Sequence, residues 1–143
     1  MDEVRLRAFQ YPQDYPGARA LWEKAGPGVQ VRRSDEAGEI EKKLQRDPDL
    51  FLVAELGGRL VGTVMGGFDG RRGMVYHLAV EQGARRTGIG SRLMDELERR
   101  LRGKGCLRCY LLVTLENDSA MRFYEERGWL RMDTVLTYAK DLD

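Results

Sequence analysis

The chain has 143 residues, of which 42% are hydrophobic and 33% charged, with a formal net charge of +1. That length suits one domain, residues 1–143, around one core. The balanced charge excludes the bulk positive field of a nucleic-acid binder.

No apolar run approaches the ~20 residues of a membrane helix. Met1-Asp2-Glu3-Val4-Arg5 lacks the apolar centre of a signal peptide, so a cytoplasmic protein with no membrane partner is expected. Val4–Phe9 alternates in part and predicts a first strand. A helix starting near Asp14 would carry Ala18, Leu21, Trp22 and Ala25 on one face and stop at Gly26-Pro27-Gly28. Ser34 or Asp35 could cap a second helix through Ile40 and Leu44, ending near Asp47-Pro48. Leu50–Leu56 and Leu60–Met65, separated by Gly57-Gly58, predict a β-hairpin. A loop, 66–73, leads to an apolar strand over Met74–Val80.

Next comes Arg85-Arg86-Thr87-Gly88-Ile89-Gly90, followed by a helix-period run from Ser91 to Arg102. Strand, glycine loop and helix together present free backbone N–H groups at a helix N-terminus, a geometry that binds phosphate. Gly88 and Gly90 let the backbone approach an anion, and Arg85 and Arg86 add two cations. The string is neither a Walker A loop nor a dinucleotide fingerprint. Along the helix Ile89, Leu93, Leu97 and Leu101, with Met94 beside them, form a core stripe. Arg99, Arg100, Arg102 and Lys104 crowd its end. They read either as a solvated terminus suited to the dipole or as a patch for a nucleotide 3′-phosphate.

Leu107–Thr114 predicts another strand. The two cysteines, Cys106 and Cys109, have a Cys-x-x-Cys spacing, but a zinc site needs further ligands, so buried thiols and no metal are expected. Asn117-Asp118-Ser119 can cap a helix ending at Gly128, and 129–132 and 135–139 read as two closing strands. A hairpin followed by alternating strands and helices implies a mixed α/β sheet with helices on both faces.

Leu78-Ala79-Val80, then Arg85-x-x-Gly88-x-Gly90, then Asn117-x-x-Ala120-x-x-x-Tyr124-x-x-x-Gly128-Trp129 together resemble the GNAT superfamily of N-acetyltransferases. The resemblance covers about Leu50 to Asp143, and 50–55 with 61–67 look like the bacterial YpeA-type subgroup. It implies a mostly antiparallel sheet with one splayed strand pair. It also implies acetyl-CoA as cosubstrate, and direct transfer of acetyl to a primary amine in a ternary complex. In that reading residues 85–91, ending at Ser91, hold the pyrophosphate. The pantetheine arm lies along the Met74–Val80 strand, with a bulge near Leu78 or Ala79 splaying it, and the amide of Val80 or its neighbour polarises the acetyl carbonyl. Asn117 is a helix cap or a donor to the same arm.

Tyr124 matches the family tyrosine that protonates the departing thiolate; the competing reading is a core tyrosine. His77, the single histidine, is either the base or a strand residue with a satisfied ring. Asp69 and Glu116 are weaker candidates, and a water chain without one base is another. Arg86 stands where many members carry glycine, Glu81-Gln82 replaces a frequent Asp-Pro, and Met74 and Leu112 occupy positions where some members carry a carboxylate base. Acceptor choice is expected from Trp22, Arg32, Arg33, Glu36 and the 68–72 loop, with a homodimer left open. The alternative function is a non-catalytic acyl-CoA-binding module, and a ligand-free structural protein is the third.

Overall fold

The computed structural model describes residues 3–26 and 28–143, so Pro27 of the expected helix stop and the first two residues lie outside it. The elements are β1 (Arg5–Ala8), α1 (Tyr15–Glu23), α2 (Ala37–Arg46), β2 (Phe51–Leu56), β3 (Arg59–Phe68), β4 (Gly73–Val80), α3 (Ile89–Gly103), β5 (Cys109–Leu111) and α4 (Asp118–Glu126). Residues 1–112 form one compact unit and residues 113–143 a second.

In the first unit the five strands lie in the order β1-β2-β3-β4-β5. Antiparallel pairs join β1 to β4 in sequence, and β5 joins parallel to β4. The hairpin expected at Gly57-Gly58 is present, with both glycines at positive φ (57° and 80°), as a two-residue type I′ turn requires.

Period-two alternation sends odd and even residues of β2 and β3 to opposite faces. Phe51, Val53 and Met65 pack with Ala18, Leu21 and Trp22 of α1 and Ile40 of α2. On the other face α3 lies directly on glycines. A Cβ at Gly66 would come within 2.6 Å of Leu97, and one at Gly62 within 3.0 Å of Leu93. The expected stripe Ile89, Leu93, Met94, Leu97 and Leu101 is entirely buried. Each such side chain contributes about 1.5–3 kcal/mol by leaving water.

The helix expected to start near Asp14 is present, with Asp14 at the N-cap of α1, where its carboxylate makes no cap bond. It takes a two-pronged ion pair from Arg7, at 2.6 and 2.9 Å, and the amide of Gln10. Neither Ser34 nor Asp35 caps α2; they belong to a short 3₁₀ turn, Arg33–Asp35, and Glu36 takes the N-cap position. The loop expected over 66–73 is shorter, because β3 continues to Phe68 and β4 begins at Gly73.

The strand expected over Leu107–Thr114 is reduced to Cys109–Leu111. Residues 129–132 and 135–139 carry no strand. Alternation specifies a strand only where a neighbouring ladder takes its backbone groups, and these stretches take up none. The cap of α4 is as expected. Asn117 Oδ1 accepts from the amide of Ala120 at 3.2 Å, and Gly128 follows the helix at φ 90°. Among the described residues no helix is long and apolar enough to cross a membrane.

Candidate functional site

Strand β4 is built differently on its two sides. Toward β3 it pairs along its whole length, but the register shifts between Thr63↔Ala79 and Met65↔Tyr76. Two residues of β4, His77 and Leu78, thus stand opposite the single Val64, which is a β-bulge. His77 takes a left-handed φ of 50°, rare for a non-glycine residue. The bulge removes a ladder partner from the His77 carbonyl. Thr63 Oγ1 donates to that carbonyl at 3.1 Å and itself accepts from Trp22 Nε1 at 3.0 Å. Thr63 and Trp22 are both buried, so this polar chain fixes the bulge from inside the core.

Toward β5 the ladder covers only Gly73↔Cys109, Met74↔Tyr110 and Val75↔Leu111. The stretch from Tyr76 to Val80 therefore has a free edge on that side. The amide of Glu81 donates to Val61 O at 2.8 Å, toward β3. By the alternation of an antiparallel ladder, the amide of Val80 points the other way, to the free edge.

The free edge leads to the N-terminus of α3. Gly88 is its N-cap at φ 86°, a conformation that disfavours any Cβ. The first bond of the helix runs from Arg92 N to Gly88 O, so the amides of Gly88, Ile89, Gly90 and Ser91 have no intrahelical acceptor. Gly90 is already helical, so the two glycines differ: the first permits the turn, and the second leaves the first helical turn bare. Arg86 also lies in the left-handed region, at φ 67°. The arginine therefore adds backbone strain of about 1 kcal/mol as well as charge. Thr87 Oγ1 donates to the carbonyl of Ala84, which closes the loop. The Arg85 guanidinium lies on backbone carbonyls, Val80 O at 3.1 Å and Ala25 O at 3.4 Å, and so braces the loop.

On the α1/α2 side of β4 an open cleft of about 950 Å³ is lined by residues including Asp35, Ile40, Met65, Tyr76, His77 and Tyr110. The His77 ring packs against Trp22 with centroids 4.9 Å apart. Its Nε2 lies 2.8 Å from each carboxylate oxygen of Asp35. Asp35 is only 3% exposed. Burial alone would raise its pKa, but the His77 hydrogen bond and the Arg32 amide outweigh that and hold the carboxyl below its usual range. Sequence reading missed Asp35 because it stands among Arg, Arg and Ser, like a helix cap. No spacing rule links it to a histidine 42 residues away.

Asp69 accepts from the amides of Arg71 and Arg72, at 2.7 and 2.8 Å, which tie it into the β3–β4 turn. Those bonds lower its pKa, so it is a poor base. Among the described residues no group of three or more acidic, cysteine or histidine side chains could hold a metal. The Cys106 and Cys109 thiols are free and half-buried, and burial pushes Cys109 up to about 11.

In the second unit Tyr124 lies on α4, edge-on to Phe123 and to Trp129. Burial pushes its phenol up to about 12, with Arg127 opposing, so it carries its proton at neutral pH.

The acetyltransferase (GNAT) family model matches residues 13–129. The chain belongs to that family. An acetyltransferase of Sodalis glossinidius is 38% identical over 139 residues, covering 97% of this chain and 96% of its own. An acetyltransferase of Pectobacterium atrosepticum is 38% identical over 132 residues, covering 92% of each. Among solved structures, Ard1 from Thermoplasma volcanium superposes with a TM-score of 0.78 at 26% identity, over 89% of this chain and 82% of that one. The PaiA N-acetyltransferase from Thermoplasma acidophilum, in complex with coenzyme A, also gives 0.78, at 21% identity over 93% of each chain. With these matches the mixed five-stranded sheet is that of the GNAT fold.

Proposed function

We propose that this family member is an acetyl-CoA-dependent N-acetyltransferase that moves the acetyl group to a primary amine by direct transfer in a ternary complex. The observation that carries the reading is the free edge of β4 from Tyr76 to Val80 running to the bare amides of α3. An extended arm ending in a pyrophosphate fits that pair of features. The arm adds to the strand edge, and the phosphates sit on the helix N-terminus. The coenzyme A held by the PaiA relative is consistent with it.

In this reading residues 85–91 bind the pyrophosphate, and the amide of Val80 polarises the acetyl carbonyl. Leu78 and Ala79 contact the arm beside it. Asn117, already the cap of α4, offers its amide group to the same arm. The acceptor ammonium gives a proton to His77, and its nitrogen attacks the thioester carbon. As the C–S bond breaks, Tyr124 passes its proton to the sulfur. The resulting phenolate takes the second proton of the amine. The products are an N-acetyl amide and the free thiol of coenzyme A.

Calorimetry with acetyl-CoA, followed by mass detection of acetylated products from a mixture of an alanyl peptide, lysine and spermidine, tests the reading. Saturable binding with at least one acetylated amine is expected. Binding without any acetylation would favour the non-catalytic acyl-CoA-binding module, and no binding would remove both.

A further inference from the structure

We infer that Asp35 is the positioning residue for His77, holding the imidazole with Nε2 protonated so that Nδ1 is the atom that accepts the proton of the acceptor amine. This rests on the acetyl-transfer reading and adds to it the group that makes His77 a base of fixed orientation.

The geometry is restrictive. Both Asp35 oxygens are within 2.8 Å of Nε2, and Nδ1 has no protein partner among the described residues. A carboxylate can only accept, so Nε2 must carry a hydrogen. In the neutral ring that leaves Nδ1 as the acceptor.

Asp35 is itself fixed from two directions. Its Oδ2 takes the Arg32 amide at 3.0 Å, and its carbonyl takes the Tyr15 hydroxyl at 2.6 Å. Arg19 in turn donates to the Tyr15 oxygen at 3.1 Å, tying the 3₁₀ turn to α1. The His77 side chain is 19% exposed, open enough to meet a substrate, while that of Asp35 is 5% exposed. Trp22 packs on the ring, and Thr63 holds the backbone that carries it. The ring is therefore fixed at its backbone, its face and one nitrogen. When Nδ1 takes the amine's proton, the buried carboxylate faces the resulting imidazolium and stabilises it.

The arrangement also says what Asp35→Asn would do. The Arg32 amide requires an oxygen at the Oδ2 position, so the new NH₂ is aimed at Nε2. The oxygen kept at the Oδ2 position is equally close to Nε2, so Nε2–H keeps one acceptor while the NH₂ favours a bare Nε2, and the ring is no longer held in one tautomer.

Because His77 is the sole histidine, long-range ¹H–¹⁵N correlation on the protein gives one assignable imidazole. The wild type should show protonated Nε2 and bare Nδ1 alone, and Asp35→Asn a gain of the Nδ1–H form at its expense. Single-turnover acetylation of the amine mixture should fall by about 10²-fold in Asp35→Asn. Asp35→Asn combined with His77→Gln should be no slower than His77→Gln alone, because the two residues act as a unit. A merely structural Asp35 predicts additive losses instead.

If Asp35→Asn does not fold, the wild-type spectrum still decides, since an Nδ1–H ring there overturns the proposal. A folded Asp35→Asn with the wild-type single-turnover rate overturns it as well. Absence of acetyl-CoA binding in calorimetry would remove the acetyl-transfer reading itself, leaving the tautomer result as a finding about the fold alone.

Discussion

The loop at 85–91 and the cleft around His77 are built from different material. In the loop the working groups are backbone amides, exposed by Gly88 at φ 86° and by the start of α3. In the cleft they are side chains from the 3₁₀ turn and β4, held on a core formed by α1 and β3. A backbone-built site should tolerate changes of side chain that leave the backbone conformation alone. It should fail when a Cβ or a negative charge enters. A side-chain site should show the reverse, failing on the loss of one hydroxyl or one carboxylate while the backbone stays put.

Tyr124→Phe, a loss of one side-chain hydroxyl, carries the largest expected effect. It removes one hydroxyl and keeps the ring that packs on Phe123 and Trp129. Single-turnover acetylation should fall by ~10²–10⁴-fold with acetyl-CoA affinity nearly unchanged. A variant that melts earlier but acetylates at the wild-type rate would return Tyr124 to a packing role.

Gly88→Asp attacks the backbone site. Nothing lies within 4 Å of the added Cβ, so the cost comes from the positive φ and the charge. Placing a carboxylate beside the pyrophosphate opposes binding by about 4 kcal/mol at 4 Å, or about 10³-fold. Affinity within tenfold of wild type in calorimetry would mean that the phosphates sit elsewhere.

Thr63→Val tests the support of the bulge. It leaves the His77 carbonyl and Trp22 Nε1 without partners in a buried setting. Chemical denaturation should show a loss of about 2–4 kcal/mol. A loss below about 1 kcal/mol would show that the bulge does not depend on this chain of bonds.

Arg86→Gly should sharpen the contrast by the smallest amount, since it relieves the strain at φ 67° and removes one cation. Stability should rise by about 0.5–1 kcal/mol while acetyl-CoA affinity weakens only slightly.

Acid sensitivity is expected at two buried carboxylates, Asp14 at the start of α1 and Asp35 in the side-chain site. Asp14 and Asp35 both titrate below their ordinary 3.8 in the folded chain: burial is the largest influence and raises them, but the Arg7 and Gln10 bonds to Asp14 and the His77 and Arg32 bonds to Asp35 together outweigh it. Their stabilisation is complete above that value and is lost as pH falls through the depressed folded values. Asp35→Asn should therefore flatten the decline of stability below about pH 4.

The same division explains what could be read from the chain alone. The loop, the buried stripe of α3, the Gly57-Gly58 turn and the Asn117 cap are specified by residues within a few positions of one another. Local chemistry suffices for each. The Asp35–His77 contact joins residues 42 apart, and Asp35 carries a local pattern suited to a helix cap. The early end of β5 at Leu111 and the missing strands at 129–132 and 135–139 depend on which edge takes up a ladder, and alternation does not specify that. Arg86 shows a subtler limit, because its charge was legible and its left-handed backbone was not.

The central claim is that acetyl-CoA lies along the free edge of β4 with its pyrophosphate on the α3 amides. An acetyl-CoA titration followed by ¹H–¹⁵N amide correlation reads those groups one by one. The account predicts the largest saturable shifts at Gly88, Ile89, Gly90, Ser91 and Val80, with Gly57 and Gly58 of the distant hairpin unmoved. Saturable binding that leaves residues 88–91 unshifted would contradict it.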